Sequence, residues 1–107
     1  MKVINLCPHD VHVYNENGQL IKCYEQSGQV ARVAFTKYTV DYVDGIPVEV
    51  RRGNKVVNLP EPEEGTIYIV SEVTLNECRN RMDLIAPGRK YKVYGKTVGC
   101  TTFMSNR

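Results

Sequence analysis

Apolar and polar positions alternate with a period of two over most of the chain, the mark of strands with one buried face. "KVINL" (2–6) is a short apolar run and "DVHVY" (10–14) alternates. The polar turn "NENG" (15–18) ends in glycine before "QLIKCY" (19–24) alternates again, so residues 2–24 predict two strands and a hairpin. "GQVARVAF" and "YTVDYV" continue the pattern, Asp44 and Gly45 mark a turn, and "IPVEVRR", "GNK" and "VVNL" predict another hairpin turning at Gly53 and Asn54. "PEPEEG" (60–65) is a stiff acidic connection, too short to link two domains. It leads into "TIYIVS" (66–71), the most strongly apolar segment and the predicted central strand.

The period then changes. Ser71 is a good N-cap with Glu72 in the first turn, and "EVTLNECRNRM" spaces Leu75, Cys78 and Met82 three and four apart, which predicts a short helix over 72–82 with one apolar face. "APG" (86–88) closes that segment after "DLI", and "RKYKVYG" with "KTVGCTTFM" predicts a last hairpin around Gly95 and Lys96. The sum is one α+β domain, residues 1–107, mostly antiparallel β as a rolled sheet or partly closed barrel, with one short helix.

Charge narrows the function. Fourteen Lys and Arg against twelve Asp and Glu leave a formal +2, too small and too evenly spread for a protein that coats long nucleic acid, while small anionic ligands fit. "MKVINLCPHD" lacks the apolar run of a signal peptide, and no stretch approaches the roughly 18 apolar residues of a membrane span, so the expected place is the cytoplasm.

In that compartment the four cysteines, Cys7, Cys23, Cys78 and Cys100, are expected as thiols. Cys7, His9, His12 and Cys23 are soft enough for zinc. Their spacing lacks the tight knuckles of structural sites, and strand alternation sends His9 and His12 to opposite faces, so no metal and no cofactor is expected. The bland reading of Cys7 and Cys23, small buried residues on neighbouring strands, fits better.

"INLCPHDVHVY", "SGQVARV", "DGIPV", "LPEPEEGTIYIVS" and "RMDLIAPG" together resemble a family of small bacterial and prophage proteins whose N-termini read I-N-L-T-P-H. The likeness runs from Ile4 to Gly88. The chain departs from the pattern in carrying Cys7 where threonine is common, which argues against an obligatory thiolate there. The resemblance implies a phage-type accessory protein of the host cytoplasm and carries over no chemistry.

One task for such a protein is to sequester a small anionic, nucleotide-like signal of bacterial immunity. Phosphates call for arginine forks, bases for an aromatic face and ribose hydroxyls for a carboxylate. Arg32, Arg79 and Arg81 supply the first, Tyr68 the second and Asp83 the third, with Arg79, Arg81 and Asp83 expected near one another at the end of the helix. Tyr91 and Tyr94 are further aromatic candidates. His9, preceded by Pro8 and followed by Asp10, is a candidate ligand donor, and Ser27 with Gly28 forms a turn through which backbone can approach a phosphate. Two other classes remain. A Cys7 or Cys23 nucleophile activated by His9 would make a small hydrolase, although no Gly-rich oxyanion elbow accompanies it. A protein-interaction module would use edge strands or the acidic Glu61, Glu63 and Glu64 loop to block a host factor. An uncovered sheet edge also makes a homo-oligomer an expected state.

Overall fold

Residues 1–52 and 55–107 are described in full in the computed structural model of the chain. In chain order the elements are β1 (Lys2–Asn5), β2 (Val11–Tyr14), β3 (Leu20–Tyr24), β4 (Arg32–Val43), β5 (Ile46–Val57) and β6 (Thr66–Ile69). After them come α1 (Glu72–Glu77), β7 (Leu84–Pro87), β8 (Lys90–Val93), β9 (Lys96–Cys100) and β10 (Phe103–Ser105). The chain is broadly α+β and rich in strand, as expected, but its sheets do not close into a barrel.

The first sheet has the order β1-β6-β7-β10, and β1, β6 and β7 run parallel. The expectation of a mostly antiparallel sheet therefore fails in the middle of the fold. A parallel pair needs a crossover rather than a tight turn, and α1 is the crossover between β6 and β7. "DLIAP", read as the end of the helical segment, supplies β7 instead. β6 is interior, as predicted, with Tyr68 and Ile69 buried on opposite sides and Val70 buried directly after it. A strand covered on both faces must be apolar throughout, which is what "IYIV" provides.

The helix begins where predicted: Ser71 Oγ accepts from the Thr74 N–H at 3.2 Å. It stops at Glu77, well before Met82, which is 47% exposed and does not share the buried face of Leu75. A long-range contact caps this end. Asn106 Nδ2 donates to the carbonyls of Leu75 (3.1 Å) and Cys78 (2.9 Å), satisfying acceptors that a further helical turn would have used.

The second sheet has the order β3-β2-β9-β8, two hairpins joined where β2 and β9 run parallel at Val13 and Cys100. The last hairpin turns at Tyr94 and Gly95, both with positive φ, one residue before the predicted position. Between the sheets Cys7, Val11, Ile69 and Cys100 form one core cluster. On the other side of β6, Leu6, Ala31, Tyr68, Val70, Leu75, Leu84 and Ala86 form the other, under α1.

Among the described residues, β4 and β5, 12 residues each, pair only with one another. Asp44 and Gly45 form the predicted turn with φ of 52° and 77°, the left-handed pair that a two-residue hairpin needs. Lys55, Val56 and Val57 pair with Ala34, Val33 and Arg32, so "VV" extends this long ribbon instead of folding back in a separate hairpin. The predicted turn residues Gly53 and Asn54 lie outside the described residues. Among the described residues no helix is long and apolar enough to cross a membrane.

Candidate functional site

Asn5 ends β1 inside an apolar run, where an amide can remain buried only if its polar atoms are satisfied. It is 2% exposed. Its Oδ1 accepts from the Cys7 N–H at 2.8 Å, and its Nδ2 donates to the carbonyls of His9 and Tyr24, both at 2.9 Å. One side chain thus closes the "CPH" turn on itself and staples it to β3. Pro8 fixes a further dihedral of that turn. His9 stands exposed at its tip, and its Nδ1 lies 2.9 Å from the Asp10 carbonyl. A carbonyl only accepts, so Nδ1 is the donor in this contact. Asp10 Oδ1 accepts from the Gln26 N–H at 2.9 Å, which ties the turn to the loop after β3.

The organised turn forms one wall of an open groove of about 610 Å³, within the size range of small-molecule sites. Pro87, Gly88 and Lys90, Thr97 to Cys100, and Ser71 with Glu72 complete its lining. Buried Cys7, Val11 and Cys100 make the deep apolar part; exposed His9, Asp10, Glu72 and Lys90 make the polar rim. Gly99 and Gly88 permit this shape. A Cβ on Gly99 would collide with the His12 carbonyl and the Tyr14 ring, and one on Gly88 would collide with Thr102.

Burial holds three of the four thiols protonated. Cys7 is 3% exposed, and burial pushes its pKa up to about 11, which leaves roughly one molecule in ten thousand as thiolate at neutral pH. Burial also raises the Cys100 and Cys78 thiols. Among the described residues no three His, Cys, Asp or Glu side chains converge as metal ligands.

Of the seven residues expected to bind a ligand, His9 lines the groove, and the other six lie elsewhere among the described residues. Tyr68 is a core residue at 2% exposure and offers no open ring face. Ser27 is a plain turn residue whose Oγ accepts from the Gln29 N–H at 3.3 Å. Arg32 is exposed at the start of β4 and pairs with Val57. Arg79 Nε donates to the Asn76 carbonyl at 3.3 Å. Arg81 and Asp83 do meet, but they meet each other: Nε and Nη2 donate to the two carboxylate oxygens at 2.8 Å, and Nη2 also donates to the Pro60 carbonyl at 2.9 Å. The Arg81 hydrogen bonds hold the Asp83 carboxyl below the usual carboxylate range. This fork pins the acidic connection to the turn after α1 and commits Nε and Nη2 of Arg81.

Compared with known protein families, curated proteins and solved structures, the chain matches none. Lys90, Glu72 and Gly99 escaped the sequence reading because nothing local marks them. Asn5 did carry a signal, as a lone amide within an apolar strand.

Proposed function

We propose that the protein is a non-catalytic binder that captures a small anionic, nucleotide-like ligand in the groove beside the "CPHDVH" turn. The observation that carries this reading is the combination of an apolar interior with a rim bearing both a cation and carboxylates. A planar base suits the interior, Lys90 and His9 suit a phosphate, and Glu72 suits a ribose hydroxyl. The groove also draws on three stretches that carry the family resemblance, at Cys7–Pro8–His9, Ser71 and Pro87–Gly88. The setting, a phage-type accessory protein that withholds an immune signal from its receptor, rests on that resemblance alone. A thiol hydrolase is the weaker reading, because burial holds the Cys7 thiol in its protonated, poorly nucleophilic form.

Native mass spectrometry of protein purified from cells, followed by calorimetric titration with cyclic dinucleotides and ADP-ribose derivatives, tests the reading. Lys90→Ala and His9→Ala should each remove a contact worth about 1.5 kcal/mol or more, weakening binding about tenfold. Arg32→Ala and Arg79→Ala should leave affinity unchanged. Loss of affinity in the arginine variants, with none in the groove variants, would place the ligand elsewhere. Alkylation of Cys23 ahead of Cys7, with binding retained, separates a binder from a thiol enzyme.

A further inference from the structure

The charges are less evenly spread than their small sum suggests. All twelve Asp and Glu lie before Leu84, and after it come Arg89, Lys90, Lys92, Lys96 and Arg107 with no acid among them. Lys90, Lys92 and Lys96 stand exposed on the β8–β9 hairpin, and among the described residues none of the three has an ion-pair partner. Strand alternation sorts them. Lys90 pairs with Cys100 and Lys92 with Thr97. Lys90, Cys100 and Thr97 all line the groove, so Lys92 extends the groove face by one further cation. The extra residue of the bulge, Val98, belongs to β9, which keeps the alternation along β8 intact. Lys96 pairs with Val93 and belongs to the opposite face. β2 and β9 run parallel at Val13 and Cys100, so what precedes each in the chain, His9 for the one and Thr97 for the other, lies toward the same end of the sheet.

We propose that the anion subsite of the groove takes two joined phosphates, one held by Lys90 and the next by Lys92, so that the ligand belongs to the diphosphates and longer phosphate chains. This rests on the groove as the ligand site of the proposed function. The two lysines are two residues apart, roughly 6 to 7 Å along the strand, and their flexible stems let both ammonium groups reach neighbouring phosphates. Lysine meets phosphate as a point charge and needs no planar alignment. Two like charges on one face repel each other, and a single phosphate relieves only part of that repulsion. A phosphate chain places negative charge at both positions at once. The same geometry sets joined phosphates, as in a nucleoside diphosphate, above the separated phosphates of a cyclic dinucleotide.

Titrations with orthophosphate and pyrophosphate at one fixed ionic strength, followed through the backbone amide shifts of residues 88–100, test it. Pyrophosphate should bind the wild type about tenfold tighter than orthophosphate. Lys92→Gln should abolish that advantage and leave orthophosphate affinity unchanged, whereas Lys90→Gln should weaken both anions. Lys96→Gln removes the same charge from the other face of the hairpin and should change neither. A wild type that does not bind pyrophosphate, or binds the two anions equally, overturns the proposal. So does a Lys96→Gln variant as weak as Lys92→Gln, because the attraction is then diffuse and not a site. Adenosine diphosphate checks the parent reading separately: if it binds no tighter than pyrophosphate while the lysine variants behave as expected, the nucleotide reading falls and the paired-phosphate subsite stands.

Discussion

Asn5 organises the groove although it does not line it. Its amide satisfies the buried Cys7 N–H and two part-buried carbonyls, and all three lose that partner if the side chain is lost. Asn5→Ala should therefore lower stability by about 2 to 3 kcal/mol, read from the urea midpoint. Asn5→Asp is the sharper comparison, because it keeps the acceptor for the Cys7 N–H but loses the donors that hold His9 and Tyr24. It should destabilise as well, and proton exchange at residues 7–10 should rise in both variants. An unchanged midpoint for Asn5→Ala would mean that Pro8 and the β1–β6 pairing define the turn without the amide.

The segment from α1 to β7 shows what the sequence could and could not disclose. Its start was legible because an N-cap acts within three residues, from Ser71 to Thr74. Its end was not, because the cap comes from Asn106 at the far end of the chain, and periodicity alone carried the helix on to Met82. The Asp44–Gly45 and "NENG" turns were legible for the same local reason. The parallel pairing of β1, β6 and β7 was not, since short apolar runs such as "LIAP" do not state their partner. The candidate groove was legible only at the "CPHDVH" turn; Arg81 is engaged with Asp83, and Arg32 and Arg79 lie away from the groove. The Arg81–Asp83 fork gives this segment a definite pH response. Asp83 has a lowered folded pKa, so its contribution is fully present above the unfolded value near 3.9 and is lost as pH falls through that value toward the folded one. Asp83→Asn should cost about 1 to 3 kcal/mol at neutral pH, and the gap to wild type should narrow as pH falls below the unfolded value near 3.9. A gap that persists in acid would assign the loss to packing, not charge.

The two sheets meet at few points, and the crossing of β2 with β9 is where their joining is most exposed to a single atom. Here two local hairpins, β2–β3 and β8–β9, become one sheet through the pairing of Val13 with Cys100. Close approach of the backbones is possible because Gly99 has no Cβ to meet the His12 carbonyl. Cys100 then enters the cluster with Cys7, Val11 and Ile69 that binds this sheet to the first. The groove lies across the same junction, so its shape depends on the long-range pairing and not on either hairpin alone. Gly99→Ala isolates that dependence, because Gly99 has no positive φ and alanine adds only the clash. The substitution should cost about 1 to 3 kcal/mol of stability through overpacking. Its signature should be directional: amide exchange should quicken along β9 and β8 while β6 and β7 keep their protection, and ligand affinity should fall together with the β2–β9 pairing. If exchange instead rises uniformly, both sheets unfold as one unit and the groove cannot be opened separately.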